Sequence, residues 1–201
     1  MKRLPRRGGG DAAFSAALDE HLAAERRLAA ARGEEYAVPF ELGVRWSGGA
    51  PLPHLLSSGH RAFVAFYLEV PDPSWDGTYT RMVDPASDEA ESLALAEFKG
   101  VVAVKMGPPN DEVLHGHPLH GRGLDFYGTY VVENSRWLAE VVDVNRVHER
   151  FDPQAWDGRR HFLLVFHDET VEAISRDIEV QTMHMSMRAL LAASIERLWP
   201  E

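Results

Sequence analysis

The sequence predicts a single α+β domain, in which a mainly antiparallel sheet has helices packed on one side. Segments typical of strands follow one another without the regular helical crossovers that parallel strands require. Segments with helical periodicity lie near both ends of the chain and between the later strands. With 45% hydrophobic residues, a chain of 201 residues can form one core. We expect this domain to span residues 11–201, after a disordered basic tail over residues 1–10.

Three segments have the spacing of apolar residues that is typical of amphipathic helices. The first covers residues 11–32, with Asp11 as its N-cap and Gly33 as its stop signal. The second covers residues 134–151 and is capped by Asn134 or Ser135, and the third covers residues 185–199. The residues expected on the inner face of the first helix are Phe14, Leu18, Leu22, Leu28 and Ala29.

Strands are predicted where aromatic and β-branched residues are bounded by glycine or proline. Residues 161–175, HFLLVFHDETVEAIS, have the pattern of a hairpin, and residues 176–182 can extend the sheet. The other predicted strands cover residues 39–46, 61–70, 98–107 and 124–133. A long segment rich in turn residues follows Pro71, and connections of that length often act as lids or binding loops. We expect its Trp75 and Tyr79 to pack against the domain or to contact an apolar substrate.

Charge and composition exclude several classes of function. The formal net charge is −10, although the first ten residues hold four basic and no acidic side chains. An acidic body repels phosphate backbones, so nucleic acid is not an expected partner. No apolar stretch is long enough for a membrane span, and no apolar region follows the basic start as in a signal peptide, so we expect a cytoplasmic protein. The chain has no cysteine, which excludes disulfides, thiolate zinc sites and cysteine nucleophiles.

The segment EVLHGHPLHGRGLDFYG places His115, His117 and His120 within six residues. If the backbone is extended there, the first two imidazoles point to one side with α-carbons roughly 6.5 Å apart, which suits two ligands of one metal ion. Zinc or non-haem iron then needs further ligands from elsewhere in the fold. The alternative is a polar loop whose histidines bond backbone or water. Arg122 in the same loop is a candidate to bind a substrate carboxylate or phosphate.

The predicted hairpin is the second segment that points to chemistry. With Asp168 and Glu169 as a two-residue loop, His167 and Glu172 become diagonal neighbours on one face, which also carries His161. A histidine beside a carboxylate is an arrangement found in general bases and in metal sites. The face also holds Leu163, Val165 and Ile174, so it has the mixed character of a pocket wall. The alternative is a surface-facing sheet.

Several segments together resemble a bacterial protein family. They are Gly-His-Pro-Leu at residues 116–119, Asn-Ser-Arg-Trp at residues 134–137 and Phe-His-Asp at residues 166–168. The resemblance covers residues 52–175 and implies one shared domain over most of the chain. It implies no particular reaction, substrate or catalytic residue. Phosphate-binding loops, dinucleotide fingerprints, Gly-x-Ser-x-Gly elbows and His-Glu-x-x-His helices do not occur in the sequence.

Two functional hypotheses follow from these observations. In the first, the chain is a small-molecule enzyme in which His115 and His117 meet His167 and Glu172 in one pocket, with His161 or His120 as alternates. Bound iron indicates an oxidation, and zinc a hydrolysis or lyase reaction, whereas the same groups without metal indicate acid–base chemistry. In the second, the chain is a non-catalytic acidic protein that binds a basic protein partner, as immunity and regulatory proteins do.

Overall fold

The computed structural model describes residues 9–71 and 83–199, with side chains from residue 12 onwards. Residues 1–8 of the predicted tail, and Trp75 and Tyr79, lie outside the described residues. The helices are α1 (Gly9–Ala31), α2 (Arg136–Asn145) and α3 (Met187–Glu196). The strands are β1 (Tyr36–Pro39), β2 (His54–Ser57), β3 (Ala62–Tyr67), β4 (Glu91–Lys99), β5 (Ala103–Gly107), β6 (Thr129–Glu133), β7 (Arg160–Val165), β8 (Thr170–Ser175) and β9 (Asp177–Met185).

The predicted α+β class and the antiparallel pairing are confirmed, and the strands form two sheets. The first sheet has the order β1-β6-β7-β8-β5, and the second has the order β2-β3-β4-β9. Their inner faces pack against each other through apolar side chains from both sheets, as in other two-sheet cores. At the centre, Phe166 contacts Trp46 and Phe66, with ring centroids 4.6 Å and 5.4 Å away.

Each sheet also has a covered outer face. On the four-stranded sheet, Met187 and Leu190 of α3 pack against buried residues such as Phe63 and Leu95. On the five-stranded sheet, the cover is the loop segment 110–124, whose Leu114, Leu119 and Leu124 pack against side chains including Leu163 and Val165. Within the described residues, no helix is long and apolar enough to cross a bilayer.

The strand predictions differ from the structure where the chain turns or leaves the sheet. The hairpin prediction is confirmed by β7 and β8, and the prediction over 61–70 matches β3. The single strand predicted over 98–107 is wrong, because Gly100 adopts a φ of +59° and separates β4 from β5. The strand predicted over 39–46 is also wrong, because β1 ends at Pro39 and Trp46 makes only an isolated bridge with Leu68. The strand predicted from residue 124 begins at Thr129.

The helix predictions hold for the elements but not for every boundary or face. Helix α1 begins at Gly9, so Asp11 lies inside it, while Gly33 follows its end with a φ of +66°. Ala29 is buried, but Phe14 is 71% exposed and Leu28 is 52% exposed, so these two do not face the core as predicted. Helix α2 is capped by Ser135, as predicted. It ends at Asn145, six residues before the predicted end.

Candidate functional site

The observed register of the β7–β8 hairpin selects the histidine that lies beside Glu172. Val165 pairs with Thr170 and Leu163 pairs with Glu172, so four residues form the loop between the strands. The diagonal neighbour of Glu172 on the same face is therefore His161. The predicted pairing of His167 with Glu172 is wrong by a shift of two residues. Because the shift is even, the predicted core face of the hairpin is preserved.

A largely buried network joins His161 of β7 to Glu172 of β8, and through it to the more exposed Lys105 of β5. His161 Nε2 lies 2.8 Å from Glu172 Oε2, and Lys105 Nζ lies 3.0 Å from Glu172 Oε1. Lys105 and Glu172 are directly paired residues of β5 and β8. Burial raises the pKa of the Glu172 carboxyl, but the hydrogen bonds from His161 and Lys105 outweigh it, so the pKa falls below its usual value. Glu172 is therefore an anion at neutral pH.

The other ring nitrogen of His161 bonds a hydroxyl. His161 Nδ1 lies 2.9 Å from Ser135 Oγ, and the same oxygen accepts a hydrogen bond from the Leu138 N–H at 3.0 Å. The tautomer with its proton on Nε2 satisfies all of these groups. In that state the imidazole donates to Glu172 and accepts from Ser135. The network therefore forms a continuous chain of hydrogen bonds, from serine through histidine to carboxylate.

A cavity of about 770 Å³ lies on this face of the sheet, a volume that suits a small molecule. The strands supply Lys105, His161 and Glu172 to its wall, and the first turns of α2 supply Trp137. The ammonium of Lys105 lies 4.3 Å from the centre of the Trp137 ring, and the ring contacts His161 edge-on at 5.0 Å. Further wall residues are Glu35, Pro108, Pro109, Val113, Gly116, His117, Pro118, Leu119, Arg136 and Glu140.

His117 is the histidine of the central loop that reaches this cavity. Its φ of −67° and ψ of 140° are the extended values that the following Pro118 favours. Its Nδ1 accepts a hydrogen bond from the Leu119 N–H at 3.1 Å, so in the neutral ring Nε2 carries the proton. Burial lowers the pKa of His117, which favours the neutral ring at pH 7. Neutral His117 therefore offers an N–H donor.

We expect the His117 side chain to have a pKa below its ordinary value of 6.5. Glu172 raises this pKa and Lys105 lowers it, so Glu172→Gln should lower it further and Lys105→Met should raise it. Because the folded pKa is depressed, the neutral ring contributes stability that is present above about pH 6.5 and is lost as the pH falls through the folded value. Long-range ¹H–¹⁵N NMR measures both the midpoint and the tautomer. Shifts of equal sign in the two variants would contradict this placement.

Within the described residues, the structure does not bring the other candidates, His115, His120, His167 and Arg122, to the cavity wall. His115 and His120 are exposed, and the backbone before His117 forms a 3₁₀ helix (Asp111–Gly116) instead of the predicted extended segment. His167 Nδ1 lies 2.8 Å from Asp168 Oδ1, and its Nε2 faces Asp111 at 3.7 Å. Arg122 Nε lies 3.4 Å from Glu34 Oε2, outside the set of residues that line the cavity.

The metal version of the first hypothesis has no ligand set in the part of the chain that the structure describes. There, no three His, Asp or Glu side chains are grouped so that they could hold a metal ion. The predicted convergence of His115 and His117 fails for a local reason, because the 3₁₀ helix ends between them and His115 points to solvent. Among the histidines and the carboxylate of the first hypothesis, His117, His161 and Glu172 line one cavity.

No family model, curated protein or solved structure matches this chain.

Sequence reasoning missed three residues of the site, namely Lys105, Ser135 and Trp137. Ser135 was identified only as a helix cap, and Trp137 only as part of an apolar stripe. Both residues lie just after the end of β6, and the turn from β6 to α2 brings them beside β7. A signal was present in the Asn-Ser-Arg-Trp segment itself, since a polar pair at a strand-to-helix turn commonly lies at the rim of a site. Lys105 gave no such signal.

Proposed function

We propose that the protein is a small-molecule enzyme that performs acid–base chemistry, hydrolysis or elimination, with His161 as the group that carries the proton. One observation supports this proposal more than any other. The imidazole of His161 bonds a carboxylate on one nitrogen and a hydroxyl on the other, beside a cavity of small-molecule size. A histidine whose ring is oriented by a carboxylate is the common form of a general base in proteins.

Glu172 has two roles in this proposal. Its Oε2 accepts the Nε2 proton of His161, which fixes the ring orientation and leaves Nδ1 as the basic nitrogen. When Nδ1 takes a proton, the nearby anion stabilises the imidazolium that forms. Lys105 holds the second oxygen of the carboxylate at 3.0 Å and limits its rotation.

The cavity wall offers groups that bind a polar small molecule. Trp137 supplies an aromatic face, and the Lys105 ammonium, with 52% of its side chain exposed, lies over that face. Neutral His117 offers its Nε2–H to a substrate oxygen, which suits a carbonyl group whose charge grows during the reaction. A carbonyl compound of low molecular weight fits this combination of one aromatic face and two donors.

The proposal is tested with a panel of small esters, amides and β-substituted carbonyl compounds in the presence of EDTA. Product formation is followed by proton release and by ¹H NMR. We expect at least one compound to be turned over, and His161→Gln to lower kcat/KM for it by about 100-fold or more, the range of general-base contributions. The matched control is His184→Gln, on the exposed side of β9, which should change kcat/KM less than about twofold.

Two results would overturn the proposal. One is the absence of turnover across the panel by folded wild-type protein. The other is turnover that His161→Gln and His184→Gln affect to the same extent, because the reaction would then not depend on the buried imidazole.

A further inference from the structure

We infer that Ser135 is a nucleophile, and that the chain hydrolyses carboxylic esters through an acyl-enzyme formed on its Oγ. This inference rests on the proposed function, because His161 is the base in both. It adds a residue, a substrate class and a covalent step.

The first support is the geometry of three side chains from separate elements. Ser135 Oγ lies 2.9 Å from His161 Nδ1, and His161 Nε2 lies 2.8 Å from Glu172 Oε2. The distances and the residue order match a serine, histidine and acid triad, but the two ring nitrogens are exchanged, since here Nδ1 faces the serine and Nε2 faces the acid. All three side chains are largely buried, with exposures of 9% for Ser135 as a residue, 4% for the His161 side chain and 13% for the Glu172 side chain.

The second support is the position of Ser135 in the fold. It lies at the turn from β6 to α2, after Asn134, which adopts a φ of +53°. Asparagine tolerates this left-handed conformation, and the tight turn that it makes places Ser135 at the start of the helix. Ser135 is also the N-cap of the ten-residue helix α2. Negative charge that develops on Ser135 Oγ, or on the carbonyl oxygen of an ester that Oγ attacks, therefore meets the positive end of the helix dipole.

The third support is a second cavity, of about 410 Å³, that both Ser135 and His161 line. His161 thus lines both cavities, and Ser135 lines the smaller one. Two cations, Arg159 and Arg160, and one acid, Glu133, also line it. Within the described residues, Arg159 Nε is buried without a hydrogen-bond partner, while its Nη1 donates to the Gly100 carbonyl at 2.6 Å. Arg160 Nη2 lies 3.5 Å from Asp177 Oδ1. Arg159 is therefore the cation that favours an ester carrying a carboxylate or other anionic group.

The reaction is balanced without an external oxidant or metal. Ser135 Oγ forms a bond to the ester carbonyl carbon as its proton moves to His161 Nδ1. The tetrahedral intermediate then expels the alcohol, which takes that proton, and leaves an acyl group on Oγ. Water, the co-reactant, attacks the acyl carbon with His161 again as base. The products are the carboxylic acid and the free hydroxyl of Ser135.

The experiment uses diisopropyl fluorophosphate, which phosphorylates activated serines with loss of fluoride. Intact-mass and peptide mass spectrometry should place one adduct per chain on Ser135. His161→Gln should slow its formation by about 100-fold or more, the contribution of a general base. Hydrolysis of p-nitrophenyl succinate, an anionic ester, is measured on the same samples during labelling. It should stop when every chain carries the adduct.

Two serine variants distinguish the role of Ser135 as a nucleophile from its role as a helix cap. Ser135→Asn keeps a good cap but removes the hydroxyl, so the fold should persist while labelling and ester hydrolysis are lost. Ser186→Ala removes the equivalent cap of α3, at a residue that is 8% exposed, and should leave labelling unchanged. Labelling elsewhere, or ester hydrolysis that survives in Ser135→Asn, would overturn the inference. If the wild type is not labelled on Ser135 but catalyses a reaction that His161→Gln loses and Ser135→Asn keeps, the proposed function stands and the nucleophile is refuted.

Discussion

Glu172→Gln is expected to lower kcat/KM for the small-molecule reaction by about 10⁴-fold, the scale on which an acid that orients a catalytic histidine acts. The amide can still accept a hydrogen bond from His161, which keeps the ring near its place. It carries no charge, however, and cannot stabilise the imidazolium that forms when Nδ1 takes a proton. Initial-rate measurements over a range of substrate concentrations separate this effect from a change in KM alone.

The same variant changes how stability depends on pH. The pKa of Glu172 is depressed in the folded chain, so its ionised form contributes stability that is present above its unfolded value of about 4.5. That contribution is lost as the pH falls through the folded pKa. Urea unfolding at a series of acidic pH values should show a shallower loss of stability in Glu172→Gln than in the wild type. Parallel curves would contradict the ionised network.

Glu97→Gln is the matched control for Glu172→Gln. The Glu97 side chain is 15% exposed, against 13% for Glu172, and it also binds cations, Lys99 at 2.8 Å and Arg197 at 3.1 Å. It lies on β4, in the other sheet. Loss of this carboxylate should leave kcat/KM within about twofold of the wild type. Equal losses in the two variants would show that activity follows stability and not the His161 network.

The sequence predicts the faces of the hairpin correctly because side chains alternate with a period of two, which survives any even shift. It does not predict which residues are neighbours, because that depends on where the turn is centred. The Phe166 N–H donates to the Glu169 carbonyl at 2.9 Å, so the turn is centred on His167 and Asp168. This centre lies one residue before the predicted turn, which shifts the pairing by two residues and places His161 beside Glu172 in place of His167. The carboxylate was therefore identified correctly, and the preferred histidine was not.

The histidine loop was misread for a different reason. The metal hypothesis required an extended backbone there, but Asn110 caps a 3₁₀ helix by accepting from the Val113 N–H at 3.3 Å. Leu114 then becomes the residue that points to the core, and His115 turns to solvent. Only His117, fixed by the following proline, lies where the prediction needed it. A local capping bond thus decided which imidazole enters the cavity.

The convergence of Lys105, Ser135 and Trp137 could not be predicted, because it depends on the order of strands in space. Strand β5 precedes β6 in the chain but lies at the far edge of the sheet, beside β8. That order places Lys105 directly opposite Glu172. Hydrophobic periodicity shows which face of a strand is buried but carries no information about which strand is its neighbour.

Gly123→Ala should destabilise the fold by about 2–4 kcal/mol, through backbone strain and a steric clash together. Gly123 has a φ of +88°, and an added Cβ would lie 2.4 Å from Arg26 Cγ and 2.7 Å from the Ala37 carbonyl oxygen. The side chain of Arg26 can move, but the carbonyl belongs to β1 and cannot move without disturbing the sheet. The Gly123 N–H also donates to Glu25 Oε2 at 3.0 Å, which joins α1 to the segment that covers the site.

Gly43→Ala separates the cost of backbone strain from the cost of the steric clash at Gly123. Gly43 has a similar φ of +78°, but nothing lies within 4 Å of an added Cβ. The cost there should be about 1 kcal/mol, the strain of placing alanine in the left-handed region. Urea unfolding of both variants gives the difference, which reports the close approach of Gly123 to α1 and β1. If the two variants lose equal stability, α1 does not pack against the loop that covers the site as the structure describes.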